Sequence, residues 1–345
     1  MACPPAVAAR RAWPGRAIRW YINVVMRVAL AGDTMLGRLV AERLHTQGPA
    51  SLFAPEVVDV AHEADLFVLN LECCVSDRGR PWPAPGKPLF FRAPPVAVET
   101  LRLLGVDCVT LANNHALDYG EEALADTLDH LGRAGIAAVG AGRDVESARA
   151  HAVLERDGVR LAVLGVTDHP ADFAAGPTKP GVAFADLWRD VPAWLTGAVD
   201  EAAREADGVI VMPHWGPNML PAPLPHVRRA AGALRAAGAT LLAGHSAHVF
   251  HGVGDRVLYD LGDFIDDYAV DPELRNDLGL LWLVDLDGDA TPTRLEAVPL
   301  QLDFCSTRVA KRDEAAWIRD RFGPACAEFG ATVRERDDRL VVEWA

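Results

Sequence analysis

The chain holds 345 residues, with 34 Lys and Arg against 48 Asp and Glu, a formal net charge of -14. It is 50% hydrophobic and 24% charged, the balance of an ordinary soluble globular protein that builds its core without disulfide or metal staples. The acidic excess argues against wrapping nucleic acid, which needs clustered Lys and Arg. No repeat or charge-rich tract marks a collagen, a coiled coil or a disordered chain.

Residues 1–25 carry Arg10, Arg11, Arg16 and Arg19, as a signal peptide would. Their apolar stretch is short, is broken by Arg19 and Asn23, and has no small-residue cleavage site after it. No window reaches the roughly 18 uninterrupted apolar residues of a membrane span. This segment is therefore expected to be a dispensable tail, and no membrane partner is expected. Six cysteines, at 3, 73, 74, 108, 305 and 326, form no CxxC pair. Reduced, mostly buried thiols in a cytoplasmic protein are the expectation.

From Met26 the pattern alternates short apolar runs with amphipathic ones. Arg27–Ala31 reads as a strand, Arg38–Gln47 as a helix and Leu66–Leu71 as a strand ending at Glu72. Arg78–Pro95, rich in Pro and Gly, is a long loop. Val96–Leu104 is a helix, Val106–Ala112 a strand ending at Asn113-Asn114-His115, and Glu121–Ala134 a helix closed by Gly135. Ile136–Val139, Ala152–Arg156 and Leu161–Val166 are strands, and Pro170–Gly181 is a second long loop. Helices over Val191–Ala206 and Arg228–Ala237 alternate with strands over Gly208–Met212 and Ala239–Ala243, with His214 just beyond the first. Arg256–Leu261 and Leu280–Asp285 follow as strands. After about residue 303 come a charged helix, Arg312–Phe329, and a hairpin over Ala331–Trp344 turning near Arg336-Asp337-Asp338. Three segments result: the tail 1–25, a main domain 26–302 and a C-terminal appendage 303–345.

Apolar strands here end repeatedly in polar residues: Asp33, Glu72, Asn114 with His115, His214, and His245 with His248. Buried strands of one sheet can deliver such side chains to a single rim. Two carboxylates, an amide and several imidazoles are a ligand set for a divalent cation. One such residue alone is more often a turn or cap residue. The combination carries more weight because each member brings its own signature: GDTMLGR (32–38), NLE (70–72), LANNHALDYG (111–120), PHWG (213–216), GHSAH (244–248) and YDLGDF (259–264).

In this order the motifs resemble the capsule-synthesis CapA/PgsA family, whose fold belongs to the calcineurin-like metallophosphoesterases. The resemblance spans about residues 27–265. It implies an α/β protein, a two-sheet β-sandwich flanked by helices, with metal at the strand ends. It further implies Asp33, Glu72, Asn114, His214, His245 and His248 as metal ligands, and His115 acting on the substrate. Met35 stands where the superfamily's GDxH motif places a ligating His, and a thioether is a poor partner for a hard cation. Glu72 replaces the usual bridging Asp, Ser246 interrupts the common tandem His, and Asp263 stands where Asn is usual. A single-ion site is therefore expected in place of a two-metal clamp.

Oxygen ligands from Asp33, Glu72 and Asn114 favour Ca²⁺, with Mg²⁺ or Mn²⁺ as alternatives and no organic cofactor. With the metal set taken as Asp33, Glu72, Asn114, His214 and His245, two histidines stay free for proton transfer. His115 has Asp118 three residues on, and His248 can meet Asp263 across loops, each Asp fixing its histidine's tautomer. Two such pairs on opposite faces of a carbon fit epimerisation, with enolate-like charge stabilised at the centre. The family has been linked to D-residue introduction in polyglutamate, and related proteins resemble lasso-peptide epimerases. The expected function is a metal-dependent epimerase inverting a Cα centre near the C-terminus of a ribosomally made precursor peptide. Lys87, Arg92 and Lys179 in the two long loops would hold the peptide's terminal carboxylate, and Trp215 would line the pocket. The alternatives are a phosphoesterase or other hydrolase, and a non-catalytic accessory factor in polyglutamate or capsule synthesis.

Other residues have simpler roles. Trp188, Trp194, Trp282 and Trp317 are expected in the core, and His45, His62, His130, His151 and His226 at the surface or in satisfied structural positions. Asp266 and Asp267 read as solvated loop carboxylates.

Overall fold

The computed structural model describes residues 26–83 and 86–344, so the expected tail 1–25 lies outside the described residues. Two large sheets carry the fold. The ten-stranded sheet runs Val333–Arg336, Arg339–Glu343, Pro292–Asp303, Leu278–Leu286, Met26–Thr34, Leu66–Leu71, Cys108–Thr110, Ala137–Val139. Asp263–Ile265 pairs beside Met26–Thr34, and Ser306–Val309 beside Pro292–Asp303. The five-stranded sheet runs Val257–Leu258, Leu241–Ala243, Gly208–His214, Val159–Thr167, Ala152–Arg156.

Period-two alternation explains the layering, because successive side chains of a strand face opposite ways. Met26, Val28 and Leu30 join Leu161, Val163, Ile210, Met212 and Trp282 in the layer between the sheets. Ala29 and Ala31 face Val40, Val57, Leu101 and Leu124 on the outer side of the larger sheet. These come from helices Arg38–Gln47, Pro55–Ala61, Ala97–Leu104 and Gly120–Arg133. Ala162, Leu164 and Val166 face Leu195, Val199, Val227 and Leu234, on the helices Ala193–Glu205 and Pro225–Ala236 that cover the smaller sheet. Helix, sheet, sheet, helix makes a two-sheet α/β sandwich flanked by helices, as expected.

Most expected elements recur with ends shifted by one to three residues. Several elements were hidden in the sequence, three of them important to the core and the site. Pro292–Asp303 is a 12-residue strand whose Pro292 and Pro299 read as strand breakers. Asp263–Ile265 and the helix Pro55–Ala61 are too short to show a period. The segment after 303, expected as an appendage, extends the larger sheet through Arg339–Glu343. Its helix seats Ile318, Phe322 and Cys326 between the sheets. Asp337 and Asp338, at φ 50° and 62°, make the two-residue hairpin turn. Two expectations fail on burial. Trp188 is 51% exposed, whereas Asp266 and Asp267 are buried because their loop folds back onto the site.

Parallel pairing aligns the polar strand ends. Asp33 lies in register with Asn70 on one side and Asp263 on the other, and His214 bridges His245. Gly32 permits this approach: a Cβ there would stand 1.7 Å from the Gly262 carbonyl oxygen, which accepts the Asp33 N–H at 2.9 Å.

His251 gives the fold a pH dependence. It is buried, its Nε2–H donates to the Leu220 carbonyl at 2.8 Å, and burial pushes its imidazole down to about 4. The unfolded side chain titrates near 6.5, so the unfolded state takes the proton first as pH falls. The stabilisation is present above pH ~6.5 and is lost between there and pH ~4, up to roughly 3 kcal/mol. Urea melts of His251→Gln between pH 7 and 4.5 are expected to show a shallower loss of stability than the wild type.

Candidate metal centre

Asp33 is the hub. Its Oδ1 accepts the Asn70 amide at 2.8 Å and lies 3.3 Å from His245 Nδ1. Its Oδ2 lies 3.3 Å from both His248 Nδ1 and the Ser246 N–H. Asn70 is steadied by Asn113, whose Nδ2 donates to Asn70 Oδ1 and the Leu71 carbonyl, both at 2.9 Å. Glu72 Oε1 is 3.5 Å from His214 Nε2, and His248 Nδ1 is 2.8 Å from Asp263 Oδ1. Asp33, Glu72, His248 and Asp263 each place a ligand atom within 4.8 Å of the others. Cis donors around an octahedral ion with bonds of about 2.1 Å stand roughly 3 Å apart, close to these separations.

The hydrogen bonds left unmade test the fit. Both oxygens of Glu72, both nitrogens of His214 and of His245, Asn114 Oδ1 and Asp263 Oδ2 are buried without a partner. Orphaned polar atoms are rare in folded proteins, and a bound ion is one of the few things that explains a concentration of them. The donors fit a divalent cation. They form two groups meeting at Glu72: Asp33, His248 and Asp263 on one side, and His214 on the other with its bridge partner His245.

Burial sets the electrostatics. It opposes ionisation of Asp33, yet the His245 contact and the nearby His248 and His214 hold that carboxyl well below the usual range. Burial and the Asp33 charge push Glu72 far up. Burial with Asp266 and Asp33 does the same to Asp263. Burial drives His214 down; at His248 it is outweighed by the charges of Glu72 and Asp33, which raise the imidazole. A bound cation would reinforce the low Asp33 and His214 and oppose the rise of Glu72, Asp263 and His248, favouring every anionic and every neutral-imidazole form at once.

Asp33, Glu72, His214, His245, His248 and Asp263 come together, and the remaining expected residues are placed as follows. His115 Nδ1 bonds Asp118 Oδ2 at 2.6 Å, and the ring stacks on Phe91 with centroids 3.8 Å apart. Burial holds this imidazole down to about 4 despite Asp118. Lys87 reaches the centre, but its ammonium is committed to Asp118 Oδ1 at 3.0 Å and the Asn114 carbonyl at 2.9 Å. Arg92 lies over the Tyr119 ring at 4.1 Å and donates to the Arg78 carbonyl, and Lys179 donates to the Asp172 carbonyl. Of the three cations, Lys87 is already paired with a carboxylate, while Arg92 and Lys179 bind backbone carbonyls. Trp215 faces the core, because its indole N–H is taken by the Tyr259 carbonyl at 2.9 Å. Met35, lodged in the helix-side core, turns its sulfur to the Gly37 N–H at 3.1 Å.

Sequence reasoning passed over Asn70, Asn113, Asp260 and Tyr268. Asp260 accepts the Ala247 and Gly262 N–H groups at 2.8 and 2.9 Å, tying the GHSAH loop to the LGDF loop. Asn70 and Asn113 lay inside motifs already quoted, where alternation along the strand could have marked them. His169, ending a strand, bonds Asp168 at 2.5 Å and lies with its ring centroid 5.0 Å from that of His214.

Fold and site together define a two-sheet α/β protein with a buried carboxylate–imidazole centre able to hold a metal ion. Residues 27–268 match the bacterial capsule synthesis protein family PGA_cap, and the chain belongs to that family. Over 292 residues it is 32% identical to a probable polyglutamine synthesis accessory protein of Mycobacterium tuberculosis, spanning 80% of this chain and 76% of that one. Over 265 residues it is 30% identical to the PGA biosynthesis protein CapA of Bacillus subtilis, spanning 74% and 68% respectively. Among solved structures, the NAD nucleotidase NadN of Haemophilus influenzae is a loose likeness, with TM-score 0.38 and 11% identity over 83% of this chain and 49% of that one. No helix among the described residues is long and apolar enough to cross a membrane.

Removing a donor should empty the centre, while changing Met35 should not. Glu72→Ala is expected to weaken Mn²⁺ binding about tenfold or more, and Met35→Leu to leave it unchanged. Titration calorimetry with elemental analysis checks both.

Proposed function

We propose that the chain is an accessory factor of bacterial glutamyl-polymer or capsule synthesis that works through a divalent cation in the Asp33–Glu72–Asp263 centre. The partnerless buried donors carry this proposal, and the names of the family and its relatives give it direction. An anionic polymer meets a chain of net charge -14 unfavourably. A cation held by part of the donor set Asp33, Glu72, Asn114, His214, His245, His248 and Asp263 would keep an open position as a positive anchor for the polymer's carboxylates. With three imidazoles among the donors, the set suits Mn²⁺ or Zn²⁺ better than Ca²⁺, which takes oxygen ligands. The preference for Ca²⁺ drawn from sequence weighed the oxygens alone.

A second function, peptide or polymer epimerisation, is favoured by one observation. Both His–Asp pairs, His115–Asp118 and His248–Asp263, are formed at the centre. Each fixes its histidine's tautomer through Nδ1 and leaves Nε2 for proton exchange. His248 can carry a proton only if it does not ligate the ion, so the two functions make different demands on it. Phosphoester hydrolysis by a two-metal clamp is disfavoured by Met35, which supplies no ligand.

Equilibrium binding of oligoglutamate to Mn²⁺-loaded protein tests the first function. Binding is expected to vanish on chelation and return with the metal, and metal-independent or absent binding would sink it. Running the same incubation in D₂O tests the second. Deuterium at Cα without cleavage, lost in His115→Ala while metal content survives, is the expected signature of epimerisation.

A further inference from the structure

One polar group in the centre has neither a partner nor an assigned task. Tyr268 closes the acidic run Asp266-Asp267, and its hydroxyl is buried without a hydrogen bond. Its backbone N–H is fixed by Asp266 Oδ1 at 2.8 Å. The ring is held from two sides. It meets His248 edge-on, centroids 5.3 Å apart at 78°, and lies against Phe91 at 5.8 Å and 30°. Phe91 in turn carries His115 on its ring. The phenol is thereby locked into an aromatic stack joining the two histidines of the centre.

Leaving such a group unpaired is costly unless something absent from the chain satisfies it. Several neighbouring acceptors have other partners: Asp33 serves Asn70 and Ser246, Asp263 Oδ1 serves His248, and Asp266 Oδ1 serves the Tyr268 backbone. The oxygens of Glu72, Asp263 Oδ2 and Asp266 Oδ2 are unpartnered too, and none of them makes a hydrogen bond with the hydroxyl. Nearby cations are also engaged: Lys87 with Asp118, and Arg38 with Asp267 at 3.3 Å. A phenol is protonated at neutral pH in any case. Burial, then the charges of Glu72, Asp263 and Asp266, favour that state further. The site therefore presents a neutral, immobile O–H donor beside a cluster of cation ligands. An anionic oxygen bound to a cation there would be its complement, since a charged donor would compete with the metal and a neutral one does not.

We propose that Tyr268 Oη is the hydrogen-bond donor to an oxyanion, a carboxylate or phosphate oxygen, of the ligand taken at the cation centre. This rests on the cation centre of the proposed function and names its ligand class. Calorimetry on the Mn²⁺-loaded full chain tests it, with oligoglutamate and inorganic phosphate as separate probes. Tyr268→Phe is expected to take up Mn²⁺ within twofold of the wild type and to bind the preferred probe roughly 10- to 100-fold more weakly. Tyr268→Gln, whose amide can donate, should recover part of the loss. The probe that responds identifies the carboxylate or the phosphate source. The proposal is overturned if Tyr268→Phe binds both probes like the wild type, if the loaded wild type binds neither, or if the variant loses Mn²⁺ itself. A wild type that takes up no metal removes the cation centre as well. A defect confined to the oxyanion leaves that centre standing.

Discussion

Carboxylates of Asp33, Glu72 and Asp263, imidazoles of His214, His245 and His248, and almost no solvent occupy one small volume at the rim of two sheets. Ionised groups taken out of water must be paired or coordinated, or must change protonation. The chain supplies partial answers in the Asn70 amide, the Ser246 N–H and the His248–Asp263 pair. It leaves both oxygens of Glu72 and all the nitrogens of His214 and His245 unanswered. That imbalance is the physical reason for regarding the cluster as a cation centre, since positive charge at its middle would satisfy the acids and the neutral imidazoles together.

Much of the surrounding architecture holds this unfavourable arrangement in place. Ser246 and His248 adopt φ of 108° and 59°, conformations that cost energy for residues with a side chain and persist where the surroundings dictate them. Asp260 dictates them here by binding backbone N–H groups on two loops. Gly32 and Gly262 let the strand carrying Asp33 touch the loop carrying Asp263. The inter-sheet layer then fixes the strands themselves, so precision at the rim is inherited from packing between Met26–Thr34, Leu278–Leu286 and Val159–Thr167.

The two-sheet α/β fold and the convergence of strand-end residues were legible because both follow from local pattern: apolar runs of strand length, each ending in a polar residue. What stayed hidden depended on long-range packing. Asp266 and Asp267 look solvated because a run of acids in a loop usually is, and only the fold-back of that loop buries them. Trp215 follows His214 in sequence, but alternation along the strand turns it to the opposite face, into the core beneath Tyr259. Lys87 was legible as a cation near the site. Its partners were not, because Asp118 and the Asn114 carbonyl approach from a separate loop.

Lys87 also shows how the outer loops are joined to the centre. Its loop is latched to the 170–181 loop by the Trp82 indole donating to Asp172 at 2.8 Å and by the edge of Trp82 on Phe173, centroids 5.1 Å apart. The ammonium of Lys87 lies 5.5 Å from the Phe173 ring while it binds Asp118 and Asn114. One side chain thus touches the latch, the carboxylate that orients His115, and the residue carrying a free amide oxygen. A ligand that displaced Lys87 from Asp118 would free the ammonium and an Asp118 oxygen together. An oxyanion arriving at the cation side could instead use the neutral Tyr268 hydroxyl, leaving Lys87 on Asp118 and the Asn114 carbonyl.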